Sequence, residues 1–382
     1  MRKVHITLVG GQPSPVYHTI AALSPDYIVY IYSDSTREQL NTLKSIVKTE
    51  SEDLKFEPTN AQKIKSKTEK LAQRFTDDEV TVNISSGLKS WAYWFSIIFT
   101  NCPNASVVYI DQNNILWNYR TMQEQHIPDL DILTHFRLHG NPIENNYTDY
   151  KDYTKADKKA LSQIEQIRSF DHIQFKVLAT VLTKENGNKL RIQNSGKFEN
   201  PKQCASFVEW EKGNTKETNG KVTINIKKNN GKERSWTLSS PHIIDLFFSA
   251  GWFEYKIATL IAQWDKATEI FLNCRFPLKA GIDKNEVDIL VNTGTKVLFV
   301  ECKTQITNTV DIDKFANVIK KYGGTGSKGL FITDARMSEV AIKKCEESNL
   351  LHFSLQEANP LLTAEKALTM LLDSDIEKIN AK

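Results

Sequence analysis

Over its first 110 residues the chain alternates short apolar runs with stretches of helical periodicity, and this alternation leaves few folds open. The runs at 3–9, 27–32, 80–84 and 106–110 are short and β-branched, and they read as buried strands. The stretches at 17–23, 37–48, 60–75 and 88–99 read as helical or mixed segments between them. Strands that alternate with helices in this way pair in parallel, because each helix returns the chain to the end from which the next strand starts. The pattern predicts an α/β domain of Rossmann-like topology. Sheets of this kind bind ligands beyond the carboxyl ends of their strands.

The residues at those ends therefore matter. The first strand runs into Gly10-Gly11-Gln12-Pro13-Ser14, the second into Ser33-Asp34-Ser35, the run at 80–84 into Ser85-Ser86-Gly87-Leu88-Lys89, and the last into Asp111. Small residues let backbone N–H groups approach a phosphate, hydroxyls donate to it, the following helix N-terminus favours negative charge, and Lys89 adds a formal cation. The same residue types also make ordinary turns and caps. Neither GxGxxG after the first strand nor GxxxxGK[ST] occurs, so dinucleotide and Walker-type sites lack support. Asn83-Ile84-Ser85-Ser86-Gly87-Leu88-Lys89 resembles the Asn-x-Thr-Gly-Gly-Thr-Lys segment after the fourth strand of CARF domains, the sensors of cyclic oligoadenylates in type III CRISPR defence. Ser85, Gly87 and Lys89 match in kind, whereas Ser86 stands for a glycine and Leu88 for a threonine. Gly10-Gly11-Gln12 and Ser33-Asp34-Ser35 fall at other loops that line the ligand in that family. The ligand set that the resemblance implies extends to Pro13, Ser14, Ser86 and Asp111.

A second constellation lies far along the chain. Val287-Asp288-Ile289-Leu290-Val291 and Val297-Leu298-Phe299-Val300-Glu301-Cys302-Lys303 read as two strands joined by a two-residue turn at Gly294-Thr295. That turn sets Asp288 opposite Glu301, and Lys303, two positions on, shares the face of Glu301. Two carboxylates can hold a hard cation such as magnesium or manganese, and a lysine beside them can orient water or offset phosphate charge. On an exposed strand the same residues would form only a weak surface ion pair. The apolar neighbours on both strands mark them as buried, where charges need a reason, and phosphodiester cleavage is the natural reading.

The spacing of Asp288 and Glu301-x-Lys303 resembles the PD-(D/E)xK core of restriction-endonuclease-like nucleases, whose fold places another acid on an upstream helix. Gly251-Trp252-Phe253-Glu254 opens such a helix and offers Glu254. The proline expected before the first acid is absent, and Glu286-Val287-Asp288 stands there, which adds Glu286 as a weaker candidate. The resemblance implies catalytic roles for Glu254, Asp288, Glu301 and Lys303, and Mg2+ or Mn2+ held by the three acids and the backbone carbonyl of Cys302. A CARF-like first half before such a second half resembles the CRISPR ancillary nucleases that cyclic oligoadenylate switches on. For this chain it implies a homodimer, cyclic tetra-adenylate as the favoured activator, and cleavage of DNA, RNA or both. A CARF-type transcription regulator without nuclease activity and a ligand-independent restriction-type endonuclease are the alternatives.

Between the two, helical spacing at Ala160, Leu161, Ile164, Ile167 and Phe170 precedes strands at 206–210, 221–226 and 234–238. Asn219-Gly220 and Asn230-Gly231 supply turns. We therefore divide the chain into a CARF sensor over 1–141, a linking region, winged-helix-like in its mixture, over 142–240, and a restriction-endonuclease-like α/β domain over 241–382. A chain of 382 residues has room for such cores, and its net charge of +3 is too small to decide for or against a nucleic-acid partner. Neither a run of eighteen apolar residues nor a signal-peptide pattern occurs, which predicts a soluble cytoplasmic protein without membrane partners. Five scattered cysteines without CxxC spacing argue against a disulfide framework or a zinc site. His135 and His139 are spaced i, i+4 without a third ligand nearby, and Trp91, Tyr93, Trp94 and Phe95 are expected on the buried face of their helix.

Overall fold

A computed structural model describes residues 1–111, 113–143, 147–181, 194–200, 205–213, 218–248, 250–276, 285–294, 296–306, 308–323, 327–357 and 361–380; Cys204, Thr295 and Gly324 lie outside them. Its first sheet contains Lys3–Leu8 (β1), Tyr27–Tyr32 (β2), Ser51–Lys55 (β3), Glu79–Asn83 (β4), Ala105–Ile110 (β5), Ile115–Asn118 (β6) and Gln123–His126 (β7), in the order β3-β2-β1-β4-β5-β6-β7. The first five strands are parallel and the last two antiparallel. Helices Ser14–Leu23 (α1) and Arg37–Ile46 (α2) cover one face, where Val16, Ile20, Leu40 and Leu43 meet Ile28 and Tyr30. Ala61–Arg74 (α3) and Lys89–Thr100 (α4) cover the other, where Ile64, Leu71, Trp91 and Phe95 meet Ile6, Val29 and Val82. The Rossmann-like alternation is thus present, with ligand-loop candidates at the strand ends.

Strands β3, β6 and β7 add to those expected from the sequence. β3 (Ser-Glu-Asp-Leu-Lys) is an edge strand with no fully buried residue, and β7 (Gln-Glu-Gln-His) is exposed throughout, so neither carries an apolar signature. Tyr93 is a correction of another kind. Trp91, Phe95 and Phe99, at i, i+4 and i+8, take the buried stripe of α4, whereas Tyr93 stands two positions off it and is 58% exposed.

Ile132–Leu138 (α5) leads out of the first sheet and packs beneath the C-terminal one, with the Phe136 ring 4.9 Å from that of Phe276 and 5.8 Å from that of Phe299. Thr148–Asp149 (β8) then adds an edge strand to that same C-terminal sheet. Lys155–Phe170 (α6) and His172–Ala179 (α7) precede an antiparallel sheet of Ser195–Glu199 (β9), Phe207–Glu211 (β10), Gly220–Lys227 (β11) and Glu233–Ser240 (β12), in the order β12-β11-β10-β9. The strands expected at 206–210, 221–226 and 234–238 are β10, β11 and β12.

The C-terminal part begins with Ile243–Phe248 (α8) and Gly251–Ile261 (α9). Glu269–Phe276 (β13), Asn285–Asn292 (β14), Val297–Lys303 (β15), Val310–Tyr322 (α10), Lys328–Thr333 (β16), Glu339–Glu347 (α11), Leu351–Ser354 (β17) and Ala364–Asn380 (α12) follow. The sheet order is β17-β16-β15-β14-β13-β8, with β15, β16 and β17 parallel. One face packs on α9, and there Ile257 and Ile261 share a continuous core with Ile289, Val300 and also with Trp210, Ile224 and Leu238 of the middle sheet. The opposite face holds α5, α10 and α11. Among the described residues no helix is long and apolar enough to cross a membrane.

Candidate active site and ligand loops

The hairpin of β14 and β15 pairs Asn292 with Val297, Val291 with Leu298, Leu290 with Phe299 and Ile289 with Val300, the register expected from the sequence. Gly294 adopts φ +85°, and Thr293 N–H donates to Lys296 O at 2.9 Å, closing a tight connection. The next step of this register would set Asp288 against Glu301, and there the strand departs from regularity. Val287 and Leu290, three apart, pack in the same layer, so the chain changes face at Asp288. On β13 the facing position is Asn273, skipped by the ladder and held at φ +56°. The Asp288 carboxylate accepts the Cys302 N–H at 2.7 Å, locking the kink to β15.

The other groups arrive from separate elements. Lys303 Nζ lies 2.5 Å from Glu301 Oε1. Glu254 comes from α9, whose entry is bent by Ala250 at φ +57° and by Gly251, where a Cβ would stand 2.7 Å from Asp245 O. Its Oε2 is buried without a hydrogen-bond partner among the described residues. Burial raises the Glu254 pKa well above the usual carboxylate value, and the charges of Asp288 and Glu286 add to this. Burial likewise raises Asp288, and burial followed by the charge of Asp288 pushes Glu301 up to about 7. Burial opposes the Lys303 ammonium, but Asp288 and Glu301 outweigh it and raise its pKa. Three acids and one lysine therefore crowd one place, each feeling the others. Glu286 instead turns outward to Arg275 Nε at 3.1 Å.

Among the described residues no three side chains of His, Cys, Asp and Glu form a ready-made metal cage. The donor set is nonetheless that of a hard divalent ion, oxygen-rich and with one buried oxygen unpartnered. Cys302 contributes its N–H to Asp288. Cys102, Cys274, Cys302 and Cys345 are free thiols.

At the sensor end, the loops after β1 and β4 are fitted to one another. Ser86 Oγ accepts from Gly10 N–H at 3.1 Å and donates to Gln12 O at 3.0 Å. A Cβ on Gly10 would stand 2.5 Å from Gly87 N, and Gly87, at φ +81°, leaves only 2.6 Å to Leu8 Cβ. Ser85 Oγ donates to Asn83 Oδ1 at 2.6 Å and accepts from Ile110 N–H at 2.7 Å, while buried Asn83 donates to Thr19 Oγ1 at 2.6 Å. Pro13 and Ser14 open α1. Lys89 starts α4 and is exposed. Gly11 has open space where a side chain would stand. Further along the sheet edge, Ser33 and Ser35 share a hydrogen bond of 2.8 Å, and exposed Asp34 pairs with Lys55 at 2.6 Å. Asp111 caps its own turn, accepting from Asn113 N–H at 2.8 Å and Ile115 N–H at 3.0 Å.

These loops also meet the hairpin, which no sequence pattern indicates. A cavity of about 310 Å³ has Gln12, Ser14, Asp111 and Asn114 on one side and Asn292, Gly294 and Lys296 on the other. His18, His135 and His139 also line it. Asn114 Nδ2 donates to Asp129 Oδ1 at 2.9 Å, and a Cβ on Gly294 would stand 2.5 Å from Asp129 Oδ2. Asn292 Nδ2 donates to Leu130 O at 2.6 Å, and Ile132 N–H donates to Glu269 Oε2 at 2.7 Å.

Comparison with known proteins bears on the sensor first. Residues 4–134 match the model of the Card1 CARF domain. The N-terminal domain is a CARF domain. No curated protein sequence matches the chain. The fold of the whole chain resembles that of Can2 from Sulfobacillus thermosulfidooxidans, solved in complex with cyclic tetra-adenylate, with TM-score 0.65 and 14% identity over 97% of this chain and 98% of Can2. Protein VC1899 from Vibrio cholerae gives TM-score 0.70 and 14% identity over 96% of this chain and 97% of its own. A type III CRISPR defence DNA nuclease activated by cyclic oligoadenylate gives TM-score 0.57 and 16% identity over 96% of this chain and 51% of that one. At such identities the likeness establishes a shared fold, in which a CARF domain precedes further α/β layers.

Proposed function

We propose that this chain is a metal-dependent nuclease of type III CRISPR defence, activated by a cyclic oligoadenylate bound at its CARF domain. The observation that carries the reading is the meeting of Glu254, Asp288, Glu301 and Lys303 from three separate elements in a chain whose first domain is CARF. Buried like charges are costly, and a fold retains them where chemistry uses them. Glu254, Asp288, Glu301 and the Cys302 carbonyl would hold Mg2+ or Mn2+. Once bound, such an ion supplies hydroxide at neutral pH and offsets charge developing on phosphorus. Lys303, held by Glu301, orients the attacking water and neutralises a phosphate oxygen. The solved Can2 complex supports cyclic tetra-adenylate as the activator, and the Gly10 to Gln12 and Ser86 to Gly87 loops, fitted to one another by Ser86, form the strand-end surface that would receive it.

Ligand and substrate are both read by one assay. Plasmid DNA and single-stranded RNA are incubated with manganese, with and without cyclic tetra- or hexa-adenylate, and products are resolved on gels. Cleavage that requires one of the cyclic ligands supports the reading. No cleavage under any condition removes the nuclease, and ligand-independent cleavage removes the switch.

A further inference from the structure

We propose that the cleft between α6–α7 and the carboxyl ends of β15, β16 and β17 seats one nucleotide of the substrate strand, base inward, beside the cleaved phosphate; this rests on the nuclease reading of the carboxylate site. The cleft encloses about 490 Å³, within the range of pockets that take nucleotide-sized ligands. Its wall is built partly from the elements that carry the site residues. Thr304 and Gln305 in its wall follow Lys303 directly, and Trp252 stands two residues before Glu254 on α9. The carboxyl ends of parallel strands are also where open α/β sheets take their ligands.

The chemistry of the lining suits a nucleotide. Phe175, Phe248 and Trp252 form an aromatic wall, and the Arg168 guanidinium lies over Trp252 with its carbon 3.8 Å from the ring centroid. Arg168 is anchored by Asp334, yet its Nε is buried with no partner among the described residues. A flat cation on an aromatic face is a surface on which a base stacks. At the rim, exposed His172 and Lys176 lie one turn apart on α7 and make no ion pair among the described residues, a setting for backbone phosphates. The exposed amides of Gln305 and Gln356 make no hydrogen bond among the described residues and can read a base edge. Asp334, the one carboxylate among the described residues of the lining, is neutralised by Arg168. A base reaches such a cleft only by leaving its stack.

The test separates binding from cleavage. Full-length protein in EDTA is titrated into a fluorescein-labelled single-stranded oligonucleotide with cyclic tetra-adenylate present or absent, and anisotropy is followed. The double variant His172→Ala/Lys176→Ala and the single variant Gln305→Ala are compared with Lys70→Ala on α3 as a distant charge control. The rim double variant is expected to bind about tenfold more weakly, with Lys70→Ala unchanged. Mapping of cut sites in manganese should find a base preference at one flanking position that Gln305→Ala flattens. Wild-type protein that fails to bind, or rim variants that bind like wild type, overturns the nucleotide seat. Binding that depends on the rim with no cleavage by wild type overturns the nuclease reading and leaves the seat standing.

Discussion

Asp288 stands where β14 changes face, and its carboxylate serves two purposes at once: it ties the kink to Cys302 N–H and presents charge to Glu254 and Glu301. The two purposes separate by substitution. Asp288→Asn keeps an acceptor for Cys302 and should fold normally, while ligand-activated cleavage falls at least about a hundredfold. Asp288→Ala leaves the Cys302 N–H unsatisfied and should in addition lose about 1–3 kcal/mol in urea unfolding. Equal stability of the two variants would remove the structural half of this account. Asp157 is a carboxylate with a purely structural task. It caps α6 through Thr154 N–H at 2.7 Å and Thr154 Oγ1 at 2.8 Å and holds His242 N–H at 3.1 Å, joining α6 to the start of α8. Burial opposes its ionisation, but hydrogen bonds from His242 and Thr154 prevail and depress its pKa. A carboxylate with a depressed folded pKa stabilises the fold above its unfolded pKa, about 4, and that contribution fades as pH falls toward the folded value. Asp157→Ala should therefore lower stability by about 2–4 kcal/mol at pH 7, with the gap to wild type closing below about pH 4. Denaturant melts across pH measure it, and a gap constant with pH would contradict the ionised cap.

Among elements, those with strong periodicity are legible in the amino-acid order. The strand at Tyr27–Tyr32 is apolar along its length, and α9 reads as a helix from Gly251 through Ile257 and Ile261. β3 and β7 leave no such trace, because an edge strand that faces water needs no apolar residues, only partners for its backbone. The kink at Asp288 is equally hidden, since Ile289, Leu290 and Val291 are apolar in succession and suit either face, and only the packing of Val287 and Leu290 in one layer reveals the change of face. The loop after β4 offers a test at this scale. Gly87 combines φ +81° with Leu8 Cβ 2.6 Å from where a side chain would begin. Gly87→Ala should cost about 1–3 kcal/mol and push this loop off Gly10. Calorimetric titration with cyclic tetra-adenylate should then find affinity reduced at least about tenfold, and undiminished affinity would remove this loop from the ligand site.

For the whole molecule, the strand-end loops of the CARF domain and the hairpin of β14 and β15 share a cavity and a set of hydrogen bonds through Asp129, Leu130 and Asn292. We expect ligand at the loops to act on the hairpin through this joint. Asn292→Ala, which removes the bond to Leu130 O, should leave ligand affinity near wild type and lower the ratio of activated to basal cleavage about tenfold; an unchanged ratio would exclude this route. Self-association belongs to the same scale. Tyr93 (58% exposed) and Ile97 (41%) lie one turn apart on the outer side of α4, and Tyr109 (37%) on β5 stacks with Tyr119 (47%) in the turn after β6. This patch is the surface on which we expect the homodimer to form. Tyr93→Arg/Ile97→Arg should sediment as a monomer and lose ligand response, and a dimer unaffected by it would place the interface elsewhere. The alternating N-terminal sheet, the hairpin register from Asn292 to Ile289 and the candidacy of Glu254, Asp288, Glu301 and Lys303 are legible in the amino-acid order, because periodicity, turn residues and charge in apolar runs are local properties. That Glu254 meets the hairpin, that Asp288 sits at a break in its strand, and that the sensor loops touch the hairpin turn are settled only in three dimensions. Those facts depend on packing between residues far apart in the chain, and no local pattern records which distant surfaces will bury one another.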